Sequence, residues 1–146
     1  MLAALGCERD VRHRARLVDR DAPVRVVFET PASEAAVTVE VADTKPVVDR
    51  GLAGRTELGA DRGMLFFMTD ERDWSFWMRN TLIPLDIVFI TKDLHVAGIV
   101  RDAAAQTDTS RKVGVPSRYV LEVNAGWTAR HHVEPGQSVR LENIDL

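Results

Sequence analysis

Two acidic side chains lie inside apolar runs, where a charged group is unusual. Asp86 stands in LDIVFI (85–90) and Glu122 stands in YVLEV (119–123). Moving a carboxylate out of water is costly unless it is paired or hydrogen-bonded. Three roles are open for these acids. They could anchor the fold through an arginine or backbone N–H groups, line a polar ligand pocket, or act together as an acid/base pair.

Arginine is the natural partner for such acids, because its planar guanidinium binds a carboxylate through two hydrogen bonds. The candidates near the two acids are Arg50, Arg55, Arg62 and Arg79. Breaking a buried pair typically costs about 3 to 5 kcal/mol. We therefore expect replacement of Asp86 by alanine to destabilise the protein by that order.

Aromatic residues are concentrated just before Asp86. They are Phe67, Trp74, Phe76 and Trp77. Such a cluster either packs in the core or lines a pocket that stacks on a flat ligand such as a sugar ring. Asn80, next to the cluster, could orient a ligand by hydrogen bonds.

The sequence contains none of the usual catalytic or metal-binding motifs. GxSxG, HExxH and a phosphate-binding glycine loop are all missing. The single cysteine, Cys7, excludes an intramolecular disulfide and a cysteine-based zinc site. We therefore predict no catalytic residue, no metal ligand and no cofactor.

The N-terminal segment 1–23 is predicted to be a tether. Its first seven residues, MLAALGC, are similar to the end of a bacterial lipoprotein signal, in which the cysteine is lipidated. Residues 8–23 are dense in charges of both signs and end at Pro23. Lipidation at Cys7 would make the protein exported, periplasmic or membrane-anchored by lipid. An ordinary N-terminus on a cytoplasmic protein is the alternative.

Length and composition predict one globular domain over residues 24–146. The chain has 146 residues, of which 45% are apolar, so it can bury a core. The formal net charge of −3 gives no reason to expect nucleic acid as a partner. No run approaches the roughly 20 apolar residues that span a bilayer, so membrane contact is expected only through a lipid on Cys7.

Short apolar runs predict about eight β-strands and one or two short helices. The predicted strands are 24–30, 36–42, 64–68, 74–78, 85–90, 95–100, 119–123 and 138–142. Helices are predicted within 44–58, where Thr44 and Pro46 suit a helix start, and within 125–131. Strands and helices do not alternate regularly, which favours an antiparallel sandwich or barrel-like domain.

Four sequence blocks resemble the family called domain of unknown function 192. They are RGLAGRTEL (50–58), GMLF (63–66), FWMRNTLIPLDIVFI (76–90) and YVLEVNAG (119–126). The resemblance runs from about residue 35 to the C-terminus. It implies a compact, mainly β domain that often follows a signal peptide or lipoprotein anchor, with no established activity or cofactor. The chain departs from the family at Ala53 and Gly54, where a Met-Phe or Met-Gly pair is more usual.

The leading functional hypothesis is a non-catalytic module of the cell envelope that binds a small polar ligand, a glycan or another protein. The predicted binding residues are Arg50, Trp77, Arg79, Asn80, Asp86 and Glu122. One alternative is an enzyme that uses Asp86 and Glu122 as acid and base. Another is a purely structural accessory domain.

Overall fold

Nine strands and two short helices make up the part of the chain described by the computed structural model, residues 15–146. The strands are β1 (Arg16–Leu17), β2 (Val24–Glu29), β3 (Glu34–Ala42), β4 (Arg62–Arg72), β5 (Leu85–Ile90), β6 (Val96–Ala103), β7 (Ser117–Asn124), β8 (Val139–Glu142) and β9 (Ile144–Asp145). The helices are α1 (Lys45–Arg50) and α2 (Trp127–Arg130). The prediction of a mainly β domain with one or two short helices is confirmed.

Seven of the strands form one curled sheet in the order β6-β5-β7-β4-β3-β2-β8. All neighbours are antiparallel except β3 and β4, which run parallel and are connected through α1. The two edges of the sheet meet at one end, where Val96 donates a backbone hydrogen bond to Gln137 and Val139 donates one to Leu94. These bonds give the sheet its barrel-like shape.

The central strands β5 and β7 are covered on both faces. Every residue of β5 is buried, as is most of β7. Side chains alternate between faces along a strand, so the two strands feed two apolar clusters. The inner cluster lies inside the curl and includes Val88, Leu121 and Trp127. The outer cluster lies on the convex face and includes Phe66 and Phe89.

The outer cluster is covered by segments without regular structure. The prediction of a strand at 74–78 is wrong, because this segment makes only one isolated bridge, between Phe76 and Arg111. It runs across the outer face of the sheet instead of joining it. Residues after Ala103 lie alongside: Met78 donates a backbone hydrogen bond to Thr107, and Gln106 donates one to Thr81.

The segment predicted as a tether is described from residue 15 onward. Within it, Arg16 and Leu17 form β1, which pairs with β9 in a separate two-stranded sheet. Cys7 lies outside the described residues. Within residues 15–146, no helix is long and apolar enough to pass through a bilayer.

Candidate functional site

Asp86 is fully buried on the inner face of β5, and its carboxylate is completely hydrogen-bonded. Backbone N–H groups of Asp102 and Gly126 donate to Oδ1 at 2.9 and 3.2 Å. The backbone N–H and the hydroxyl of Thr128 donate to Oδ2 at 3.0 and 2.6 Å. Four donors replace the water that burial removes. This carboxylate therefore fastens the start of α2 and the end of β6 to the central strand.

The predicted pairing of Asp86 and Glu122 with nearby arginines is wrong, because within residues 15–146 none of the four candidates bonds to either acid. Arg55 pairs with Glu40 and Arg79 pairs with Asp108, both away from Asp86. Instead, Arg101 donates from Nε to the Thr128 hydroxyl at 3.2 Å, and so reaches Asp86 through one intervening side chain. Sequence reasoning missed Arg101 and Thr128, because their approach to β5 depends on where the chain returns after β7.

Glu122 is buried to a similar degree, at 5% exposure, but its surroundings differ. Within residues 15–146 no side chain or backbone group hydrogen-bonds to its carboxyl. Burial therefore raises the pKa of Glu122 from the ordinary 4.5 to about 8. Near pH 7 the group is a neutral carboxylic acid, which can donate one hydrogen bond and accept others.

The two acids lie on opposite faces of the sheet, which corrects the hypothesis of a shared pocket or an acid/base pair. In the register of β5 and β7, Asp86 faces Val123 and Ile87 faces Glu122. Directly opposed residues share a face, and Asp86 and Ile87 are consecutive, so their side chains point to opposite sides. Asp86 belongs to the inner face and Glu122 to the outer face.

Glu122 lies at a cleft of about 550 Å³ on the convex side of the sheet. One wall is the end of α1 and the residues after it, and the other is the segment 74–81. Five of the six predicted binding residues line this cleft: Arg50, Trp77, Arg79, Asn80 and Glu122. Asp86 does not. Phe66 and Phe76, packed edge to face at 5.3 Å, add an apolar surface.

Gly51 brings the backbone close to the buried acid. It ends α1 with φ +49, a left-handed conformation in which glycine avoids the strain of a side chain. A Cβ built on Gly51 would lie 3.3 Å from the Phe66 ring and 3.9 Å from Oε2 of Glu122. The absence of a side chain at Gly51 therefore keeps the cleft open beside Glu122. The sequence Arg50-Gly51 gives no indication of this role.

The mouth of the cleft combines an exposed aromatic ring with cations. The Trp77 side chain is 53% exposed, and the Arg79 guanidinium lies 3.9 Å above its ring. Arg79 is also held by Asp108 at 2.9 Å, and Asp49 is held by Lys45 at 2.6 Å. Arg50 makes no ion pair within residues 15–146, although its charge helps to lower the pKa of Glu40.

The cleft has the composition of a binding site for a small molecule. A volume of this order, an apolar wall and a few polar groups are typical of ligand pockets. Among residues 15–146 there is no cluster of three or more His, Cys, Asp or Glu residues that could hold a metal. The acidic residues that line the cleft are Glu122 and Asp49, and Asp49 forms an ion pair with Lys45.

Fold and cleft together define a curled β-sheet protein with a lateral pocket on its convex face. Residues 14–141 match the family model DUF192, described as "Uncharacterized ACR". The match covers most of the chain, and the protein therefore belongs to the DUF192 family.

Two solved structures are similar over nearly the whole domain. One, from Sinorhizobium meliloti 1021, bears the description "putative transcription regulator"; it is 33% identical, with a TM-score of 0.78, covering 84% of this chain and 95% of that one. The other is a protein of unknown function from Novosphingobium aromaticivorans DSM 12444, 33% identical with a TM-score of 0.77, covering 86% and 91%. No curated protein matches the sequence.

Proposed function

We propose that this protein is a non-catalytic binding module that takes a small polar ligand into the cleft at Glu122. The observation that carries the proposal is the buried carboxyl of Glu122, which opens onto the cleft without a hydrogen-bond partner within residues 15–146. Within residues 15–146 the fully sealed side-chain polar atoms without a partner are Ser117 Oγ and Arg118 Nη1, so the Glu122 carboxyl differs from them in being reachable from the cleft. A ligand in the cleft can therefore hydrogen-bond to Glu122 directly, and nearly all buried polar side chains in folded proteins have such a partner.

A purely structural role accounts less well for Glu122. Asp86 is an acid that serves the fold, and it is surrounded by four donors. Glu122 has no such donors, so an apolar residue would serve the fold better at this position. An acid/base enzyme would need a second group beside Glu122, and Asp49, the other acid of the cleft, is held by Lys45.

The description of the Sinorhizobium relative as a transcription regulator raises DNA binding as another candidate function. The described part of the chain offers little for it. Its two helices have six and four residues, too short to lie along a major groove as a recognition helix does. The net charge of −3 also opposes attraction to phosphates. Ligand binding in the cleft is therefore the better supported function.

For the location, we propose the cell envelope, with a lipid on Cys7. The support is the sequence MLAALGC and its similarity to a lipoprotein signal. Mass spectrometry of the protein purified from its native host tests this proposal. A diacylated or triacylated Cys7 as the first residue is the expected result, and an unmodified Cys7 in a soluble fraction would contradict it.

The binding proposal is tested by a screen of small polar fragments, monitored by NMR of the Trp77 indole N–H and of the Glu122 carboxyl carbon. We expect fragments that shift both signals. Glu122→Met keeps the volume of the side chain and removes its polar group, so it should weaken these fragments at least tenfold. Trp77→Ala should also weaken those that stack on the ring.

The matched control is Leu82→Ala. Leu82 is 41% exposed and lies outside the cleft, so truncating it should leave fragment affinity unchanged. Fragments that bind Glu122→Met and Trp77→Ala as tightly as the parent would contradict a binding role for this cleft.

A further inference from the structure

Two polar side chains of the cleft, Glu122 and Arg50, differ in what they bind. Glu122 offers an O–H donor from the floor of the cleft, and Arg50 offers a positive charge at its wall. Arg50 immediately precedes Gly51, whose backbone lies beside Oε2 of Glu122. Both residues line the same cleft, so a small molecule that fills it lies between them.

The remaining charges around the cleft are already neutralised in pairs. Lys45 holds Asp49 at 2.6 Å, and Asp108 holds Arg79 at 2.9 Å. Glu122 itself is uncharged near neutral pH because burial raises its pKa. Arg50 lies within electrostatic range of Glu40, but Glu40 is already paired with Arg55, so this side of the cleft keeps an excess of positive charge. That excess favours an anion over a neutral or cationic ligand. Its planar guanidinium binds a carboxylate through two parallel hydrogen bonds.

The rest of the lining suits a ring with hydroxyl groups. Trp77 presents an exposed aromatic surface next to Asn80, and Ser75 and Ser110 add hydroxyl groups. Aromatic surface combined with donors and acceptors is what binds a sugar, because the ring carbons stack and the hydroxyls hydrogen-bond. The volume of about 550 Å³ is of the size that holds a small ligand.

We infer that the ligand is an acidic sugar, with its carboxylate at Arg50 and a sugar oxygen accepting the hydrogen bond of Glu122. This inference rests on the proposed function and narrows it to one chemical class. Stacking on Trp77 would orient the ring between these two polar contacts.

The experiment compares three sugars with one pyranose frame and different charges: D-glucuronate, D-glucose and D-glucosamine. Each is titrated into the full chain at pH 6.5, with the Trp77 indole N–H followed by NMR. We expect D-glucuronate to bind at least tenfold more tightly than D-glucose, and D-glucosamine to bind most weakly. An order in which glucose or glucosamine equals or exceeds glucuronate would overturn the inference, as would the absence of binding by all three.

Arg50→Gln supplies the residue-level test, because it should reduce D-glucuronate affinity at least tenfold and leave D-glucose affinity unchanged. Arg25→Gln is the matched control, since Arg25 pairs with Glu142 and does not line the cleft. Equal affinity for glucuronate in Arg50→Gln and the parent would overturn the assignment. If polar fragments bind at Glu122 while none of the sugars does, the binding proposal stands and the acidic-sugar inference fails.

Discussion

Asp86 and Glu122 are buried acids on adjacent central strands, and they differ in their hydrogen bonding and in the face of the sheet on which they lie. Asp86 points into the curl and accepts four hydrogen bonds, while Glu122 points to the convex face and has no partner within residues 15–146. A register offset of one residue separates them, because Asp86 faces Val123 and Ile87 faces Glu122. Two acids with nearly the same sequence context therefore have different roles.

The difference shows how a structural acid can be distinguished from a binding one. A carboxylate that holds the fold is surrounded by donors, as Asp86 is by Asp102, Gly126 and Thr128. An acid reserved for a ligand keeps its hydrogen-bonding capacity open toward a cleft, at a cost in stability. Perturbed acids in clefts are enriched at functional sites.

The largest expected effect is a loss of stability caused by Glu122 as the pH rises. Because its pKa in the folded protein is about 8 against an ordinary 4.5, the folded state holds a proton that the unfolded state releases between these values. The contribution of Glu122 to stability is then greatest below pH 4.5 and falls as the pH rises to 8. At about 1.4 kcal/mol per pH unit, the loss is at most ~5 kcal/mol.

Urea unfolding of the parent and of Glu122→Gln at several pH values isolates this effect from other titrating groups. The variant should gain stability relative to the parent between pH 5 and 8 and show no further gain above pH 8. Glu57→Gln, at an exposed position, serves as the control and should give no such trend. A flat difference between parent and Glu122→Gln would mean that Glu122 ionises normally, and the contrast with Asp86 would disappear.

Asp86→Ala should destabilise the protein by about 3 to 5 kcal/mol, since it leaves the buried N–H and hydroxyl of Thr128 and the part-buried N–H groups of Asp102 and Gly126 without an acceptor. Equilibrium unfolding in urea at pH 7 measures the change. Asp93→Ala, at a side chain that is 82% exposed, should cost under about 0.5 kcal/mol. If Asp86→Ala unfolds at the same urea concentration as the parent, these bonds do not hold the fold.

The smallest effect expected is that of Thr128→Val, which removes one hydroxyl donor from Asp86 and keeps the shape of the side chain. A hydrogen bond to a charged group is worth about 1.5 to 3 kcal/mol. The same change also removes the acceptor for Arg101. Thermal unfolding should therefore show a clear loss for Thr128→Val and none for Thr56→Val, which is exposed. Equal losses in both would indicate a general effect of valine.

Most strands follow directly from the sequence, because a strand with one or two buried faces leaves a local pattern. The alternating valines of 36–42 predict β3, and the apolar run at 85–90 predicts β5, as the structure confirms. The segment 74–78 has equally suitable residues and forms no strand. Its aromatic side chains cover the outer face of the sheet, which is a position that local composition does not distinguish from membership of the sheet.

The sequence predicts which residues belong to the candidate site better than it predicts how they are arranged in space. Trp77, Asn80 and Glu122 were identified from their apolar or aromatic surroundings, and they line one cleft with Arg50 and Arg79. The grouping of Asp86 with them was wrong, because strand pairing decides which acids share a face. Gly51 and Thr128 carried no signal that distinguishes them from ordinary turn and helix residues.

The sequence by itself determined that this chain forms a β domain with two acids buried in its central strands, because alternation and apolar runs are local properties. Only the tertiary structure decided that Asp86 meets Thr128 from 42 positions away, whereas Glu122 meets an open cleft. The physical reason is that a hydrogen bond requires a partner within about 3 Å in space. Such partners come from distant segments whose approach is set by strand register and by the curl of the sheet.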